Sequence, residues 1–586
     1  MLHTTLPLAA FLIGAGLQCA IAGASDGSIY RLGASGGATA RLEFGERWTQ
    51  AEATVKYSGG EWTWESVSVD LGADDYQLDA VVSLAQPDYG GNNGAGFTFR
   101  ESDGGAACFY VWQPWGGWSA QGEITGPNDH WSKDQTRGLS KDSESHDHHL
   151  RAIVKGPLAN FYVDGELVSI LDLTDRPHGK VGLRARHNAL FKSFTVSPID
   201  PSVRLVTTRK VRNLLRDGQV YEGKADCRTI IKQSIGYLDE AIRQGTGGVP
   251  GEERMPAYTY RCMNNMKPDE TYFYAYPAFH HSLIIDSLLD YYDYGKDRRY
   301  LVQALKLARW EISHSTPATE KLPYLPYSTT MCGKMGGKGN QDGDAIMVDK
   351  AGVMGQMYLR LWKMTGDKEL LDAAVRIGAT LLSIQLSEGR WRNRVENTTG
   401  KVIQDYTSNQ VFNITLMDRL FEATGDQRYA DSSKRALDWV IANPVKTYKW
   451  IGYYEDVEVT AQSVGNWDAI ETARYLIANR DRNPEYLTMA RDVSDWIGTT
   501  FAVDQSGIWP LICEQSVCMP VMSCHTLHYA CLLSDLYKAT GEDYYKQAAT
   551  STARAGFDLA RNNENWYSLT SAPLYLGLEL VRDLGL

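Results

Sequence analysis

Residues able to do chemistry cluster in a few glycine- and amide-rich stretches. Asp342, Asp344 and Asp349 fall within NQDGDAIMVD, and Asp468 follows in VGNWD. Two carboxyl groups can divide acid–base work, one protonating a leaving oxygen while the other activates water. Tyr276, His280 and His281 lie in YAYPAFHH, and His525 in SCHTLHYAC. A tyrosine–histidine set can instead take a proton from carbon, with Arg392 or Arg394 neutralising an adjacent carboxylate. Asn409 and Asn466 add amides, and Trp391, Tyr453 and Trp467 add rings on which an apolar ligand face can stack. Asp349 and Asp468 each stand where a helix begins, a position aspartate also takes simply as a cap.

CEQSVCMPVMSCHTLHYAC, residues 513 to 531, holds four cysteines and two histidines. Cys524, His528 and Cys531 recur at i, i+4, i+7 and share one helical face, with His525 turned away from it. Three readings stand side by side. One is a zinc site, another a disulfide of Cys513 with Cys518 or Cys524, and the third a set of buried sulfurs in a braced loop that presents His525.

The elements that must position these groups change character along the chain. From about residue 41 to 196 the apolar pattern alternates with period two, as in YQLDAVVSLA and NFYVDGELV, so strands are expected. HLRAIVKGPLANFYVDGELV reads as consecutive hairpins turning at Gly156-Pro157 and Asp164-Gly165. Seven of the sixteen tryptophans lie here, several around WQPWGGW. They are either sandwich core or a stacking surface for sugar rings.

Beyond a linker at 198–219 the period becomes helical. The turns at Asp297, Asp367, Asp426, Asn483 and Glu542 repeat at intervals of 70, 59, 57 and 59 residues. Such a period marks stacked helical hairpins, and a sixth hairpin forms if the last helix closes on the first. Turns within hairpins are short, whereas the connections between them are long and carry the chemistry named above. Long loops gathered at one end of a ring mark a functional cleft.

The expected fold is multidomain, an all-β jelly-roll sandwich followed by an all-α (α/α)6 toroid. The expected divisions are a signal peptide at 1–22, the sandwich at 23–197, the linker at 198–219 and the toroid at 220–586. The NFYVDGELV hairpin and strand order resemble laminin-G/concanavalin-like domains, including a family associated with 3-keto-disaccharide hydrolysis. The TGD-x-x-Y turns resemble those of six-hairpin carbohydrate enzymes, among them unsaturated glucuronyl hydrolases and toroidal polysaccharide lyases. The resemblance of DKAGVMGQMYLRLWKMTGD to the Asp-bearing hairpin of the glucuronyl hydrolases implies a catalytic role for Asp349.

With a net charge of -12 the chain lacks the basic clustering of a nucleic-acid binder. LPLAAFLIGAGLQCAIA, ending in Ala20-Ile21-Ala22, reads as a secretory signal, which implies a secreted or periplasmic protein with no membrane span. The expectation is an enzyme degrading a uronate-containing polysaccharide or oligosaccharide. Hydrolysis by cleft carboxylates stands ahead of β-elimination by tyrosine and histidine, and of a non-catalytic glycan-binding protein. Asp349, Asp468, Tyr276, His280 and His525 are the catalytic candidates. Trp391, Arg392, Arg394, Asn409, Tyr453, Asn466, Trp467, Asp342 and Asp344 are the binding candidates. Hydrolysis would require no cofactor, although calcium at the GNQDGD run or zinc at the cysteines is chemically possible.

Overall fold

A computed structural model describes residues 30–32, 42–59, 63–84, 93–112, 119–126, 129–131, 136–137, 147–207, 214–244, 263–264, 267–268, 274–275, 277–328, 330–331, 334–335, 345–451, 464–515, 521–562 and 572–586. The signal segment, Asp342, Asp344, Tyr276, Tyr453 and Cys518 lie outside these residues, as do the side chains of Trp131 and His280.

The strands between Tyr30 and Ser197 form two antiparallel sheets of eight and seven strands. Alternation builds them: in Tyr76–Ser83 every second residue is buried, so one face turns inward. The strands 148–155 and 158–163 pair across Gly156, and 158–163 pairs with 166–172 across Asp164-Gly165, whose φ angles of 51° and 87° are those of a tight hairpin turn. Phe109 of the second sheet stacks on Phe161 of the first at 5.0 Å, joining the two layers. The following segment is tied back to the sandwich. Lys155 Nζ donates to the carbonyls of Pro201 and Val203, and Asn160 exchanges two hydrogen bonds with Val206.

The remainder is helical. The described helices are α1 (Cys227–Gln244), α2 (Pro277–Gly295), α3 (Arg298–Ser313), α4 (Val348–Thr365), α5 (Lys368–Ile384), α6 (Val411–Thr424), α7 (Gln427–Val440), α8 (Trp467–Ala478), α9 (Glu485–Phe501), α10 (Ser523–Thr540), α11 (Asp543–Asn562) and α12 (Ala572–Leu584). Helices α2, α4, α6, α8, α10 and α12 pack side by side in that order, and α12 returns to α2. The ring is therefore closed. Helices α3, α5, α7, α9 and α11 each back the preceding inner helix, and α1 backs α12. The sixth hairpin thus joins the two ends of the helical region, where Arg228 Nε donates to Leu586 O at 3.2 Å.

Composition explains which helix goes inside. In α4 nearly every residue from Val348 to Leu361 is buried, as a helix surrounded on all sides requires. Helix α5 buries one stripe, Leu370, Ala373, Ala374, Ile377 and Leu381, and faces solvent elsewhere. Small residues set the inner spacing. A Cβ on Gly352 of α4 would lie 2.2 Å from Asn413 Oδ1 of α6, so only glycine lets the two helices approach this closely.

The repeated turn has a physical cause at each position. Gly366, Gly425 and Gly541 end the inner helices with φ of 74°, 72° and 72°, in the left-handed region. Asp367 and Asp426 then cap the outer helices by accepting from Glu369 N and Arg428 N. The preceding threonine hydroxyls accept from the backbone N–H groups of Asp367 and Asp426. Threonine, glycine and aspartate are thus each consumed by the turn.

Candidate active site

The long connections meet at one end of the ring and bond to one another. Strand 345–347, before α4, pairs with 394–396, between α5 and α6. Ser408 N donates to Ile451 O at 2.8 Å, linking the third connection to the fourth. Gly465 bridges Gln515, linking the fourth to the fifth. This belt holds the first turns of α4, α6, α8 and α10 in register.

Two adjacent residues of the belt hold two carboxylates from different helices. Asn409 Nδ2 donates to Asp349 Oδ2 at 2.7 Å, and Ser408 Oγ donates to Asp468 Oδ2 at 2.9 Å. Asp349 is in the first turn of α4 and Asp468 in that of α8. Lys350 Nζ lies 3.2 Å from Asp349 Oδ2 and 4.4 Å from the centre of the Phe279 ring. A cation and an amide donor are surroundings that stabilise an ionised carboxylate at Asp349. Asp468 differs. Burial pushes its carboxyl up to about 7; Lys350 pulls it down, the charge of Asp349 adds to the rise, and Ser408 opposes it. The two carboxyl groups thus stand in unlike surroundings, Asp468 raised by burial and Asp349 beside a cation and an amide donor, an asymmetry suited to dividing acid and base roles.

Beside them, Asn466 Oδ1 lies 2.7 Å from His525 Nδ1. The Asn466 amide nitrogen donates to Cys513 O at 2.6 Å, so its oxygen faces the ring and accepts from Nδ1–H. Burial, with His528 nearby, lowers the His525 midpoint to about 3, so the imidazole is neutral at physiological pH. His528 pairs with Glu471 at 3.1 Å. Burial pushes Glu471 up, but His528 and Arg474 together outweigh it and hold that carboxylate below its usual range. The Trp467 ring forms a wall, edge-on to His525 at 5.4 Å and to Phe279 at 5.9 Å. Trp467 and Phe412 also line a cavity of about 490 Å³ between the inner helices, where Arg474 bonds Asp535 and Glu579.

Asp349, Asp468, His525, Asn409, Asn466 and Trp467 are thus gathered at one place. The other described candidates are not. Trp391 is buried in the hairpin packing, with its indole N–H donating to Leu381 O at 2.8 Å. Arg392 bonds Asp405 at the surface. Arg394 is buried in the strand that pairs with Met347, two residues before Asp349. His281 pairs with Glu311 of α3, between the inner and outer helices. Lys350 and Ser408 are the site groups that sequence reasoning passed over.

The cysteine-rich stretch resolves as buried sulfurs. Cys524 and Cys531 are buried thiols that enter no disulfide, so Cys513–Cys524 does not form, while Cys518, the other partner expected for Cys513, lies outside the described residues. Cys531 faces α12 and the cavity wall, where burial and the charge of Glu579 hold its thiol far above the usual range. Among the described residues no group of three or more His, Cys, Asp or Glu side chains is placed to hold a metal ion. His528 is committed to Glu471 rather than to a cysteine pair.

The molecule is a β-sandwich followed by an (α/α)6 toroid with a buried polar cluster at the N-terminal ends of its inner helices. No protein-family model matches the chain, and no curated protein matches it. Among solved structures it is similar to the cellobiose 2-epimerase from Spirochaeta thermophila, at 12% identity over 61% of this chain and 97% of that one, with a TM-score of 0.46. It is also similar to the unsaturated glucuronyl hydrolase from Streptococcus agalactiae, at 12% identity over 65% and 98% of the two chains, with a TM-score of 0.43. A carbohydrate binding module from Bacillus subtilis aligns with 27% of this chain and 92% of its own, at 12% identity and a TM-score of 0.21. Among the described residues no helix is long and apolar enough to cross a membrane.

Proposed function

We propose that the protein is an exported carbohydrate-active enzyme that cleaves glycosidic bonds in an acidic oligosaccharide or polysaccharide. One observation carries the reading: Ser408 and Asn409, neighbours in the chain, hold Asp468 and Asp349 in unlike surroundings, with the Asp468 carboxyl raised by burial and Asp349 beside the Lys350 cation. Asp468, protonated in part near neutrality, donates its proton to the glycosidic oxygen as the bond to the anomeric carbon breaks. Asp349, as the carboxylate, takes a proton from the water that attacks that carbon or attacks it directly. Lys350 balances the charge of Asp349, and Trp467 offers a ring face to the sugar.

Elimination by His525 is less well supported. A general base works best with a midpoint near the working pH, and an imidazole lowered to about 3 is a poor proton acceptor. Its bond to Asn466 suits it to accept a hydrogen bond from a sugar hydroxyl instead. A purely glycan-binding role leaves the raised carboxyl of Asp468 without purpose. The test is incubation with a panel of polyuronate and neutral oligosaccharides. New reducing ends without ultraviolet-absorbing unsaturated ends support hydrolysis, unsaturated ends support elimination, and binding with neither supports a binding protein.

A further inference from the structure

The face of the second sheet that points away from the sandwich core carries an arginine–aromatic cluster. Trp64, Tyr110 and Trp112 project from it beside Arg184, Arg186 and Glu123, while Val67, Phe109 and Leu183 on the same strands point into the core. Arg184 Nη2 bonds Glu123 Oε1 at 2.6 Å, and Tyr110 donates its hydroxyl to Glu123 Oε2 at 3.1 Å. The Arg184 guanidinium stands 5.1 Å from the centre of the Trp64 ring, and that of Arg186 stands 5.6 Å from Trp112. Gly94 makes the arrangement possible, because a Cβ there would lie 2.4 Å from the Trp64 ring.

Two features distinguish this cluster from ordinary sheet surface. Arg184 Nε and Trp112 Nε1 are buried N–H donors with no acceptor among the described residues, a state native structures seldom leave without a use. The Arg184 and Glu123 side chains nevertheless keep 14% and 13% of their surface accessible and Trp64 is half-buried, so this edge of the cluster is reachable, while Tyr110, Trp112 and Arg186 lie beneath it. Its position is informative too. Asp129, which follows the Glu123 strand, pairs with Lys449 in the connection after α7. Two residues on, Ile451 O accepts from Ser408 N, and Ser408 holds Asp468. The strand at 136–137 packs on α9, whose C-terminal end belongs to the same rim.

We propose that this sheet face is a second subsite of the cleft, taking an acidic sugar unit of the same chain whose glycosidic bond lies at Asp349 and Asp468. The sandwich is then a wall of the cleft rather than a separate adhesive module. Arg184 receives the sugar carboxylate and the half-buried Trp64 ring receives its C–H surface. This rests on the glycan reading above.

The test is titration calorimetry on full-length Asp468→Asn protein with polyuronate oligosaccharides of two to eight residues, and with the same oligosaccharides after carboxyl reduction. Affinity is expected to rise with length, to fall about tenfold on carboxyl reduction and to fall similarly in Arg184→Gln and Trp64→Leu. Arg151→Gln, on the outer face of the other sheet, is expected to leave it unchanged. Affinity that ignores length and carboxyl reduction, or no binding at all, overturns the proposal. Should Arg184→Gln fail to fold, the carboxyl-reduced ligands on the otherwise unmodified chain still decide. Absence of cleavage by the unsubstituted enzyme, with length- and carboxyl-dependent binding intact, would count against the hydrolytic reading alone.

Discussion

Asn466 Oδ1 lies 2.7 Å from His525 Nδ1, and the direction of that bond is set by the other half of the amide, which donates to Cys513 O. The histidine is therefore held in one tautomer with Nε2 as its acceptor nitrogen. Replacing Asn466 by Asp puts a negative charge on Nδ1–H and favours the imidazolium. The His525 midpoint, followed by NMR titration, should rise by more than one unit from about 3. An unchanged midpoint would show that burial alone controls the ring.

Asp468 makes a prediction of opposite sign for stability. Its folded midpoint of about 7 stands above the ordinary 3.8, so the folded state keeps a proton that the unfolded chain has already released. Stability should fall as pH rises between those values and level off above the upper one. Because the side chain is partly exposed, the full shift is an upper bound, and a loss of about 2–4 kcal/mol is expected. In Asp468→Asn that slope should vanish, leaving the variant more stable than the parent at alkaline pH. Urea unfolding across the pH range reads this directly.

Gly352 lets α4 approach α6, with Asn413 and Phe412 in the space a Cβ would take. Gly352→Ala should destabilise the protein by about 1–3 kcal/mol and also lower turnover, because Asp349 stands one turn away on the same helix. Thermal unfolding and kcat report the two effects separately.

Asp558 of α11 accepts from the Tyr221 hydroxyl and from the backbone N–H groups of Lys224 and Ala225, fastening the segment before α1. Asp558→Ala leaves those donors unpaired, and a loss of about 2–3 kcal/mol in denaturant unfolding is expected.

The ring was legible because its signals are local. Thr365-Gly366-Asp367 and Thr424-Gly425-Asp426 spell the turn that ends one helix and caps the next, and the helical period between the turns is long and regular. The site was legible only in part. Asp349, Asp468 and His525 stand out as polar residues opening apolar helices. Lys350 does not, since an Asp-Lys pair at a helix start reads as a solvated first turn until the ring buries α4 on all sides. Ser408 looks like any loop serine without the fold that sets it against α8. Trp391 misleads in the other direction: an aromatic in an arginine-rich loop suggests a sugar platform, yet the structure spends it on packing against Leu381.

The central claim is that Asp468 supplies the proton to the leaving group while Asp349 acts on the anomeric carbon, and the choice of leaving group separates the two roles. The comparison is of Asp468→Asn and Asp349→Asn on the natural linkage and on a dinitrophenyl glycoside of the same sugar, whose leaving group departs without protonation. Asp468→Asn is expected to lose at least about a hundredfold in kcat/KM on the natural linkage and little on the activated one. Asp349→Asn is expected to lose on both. Equal losses on both substrates in Asp468→Asn would contradict the account.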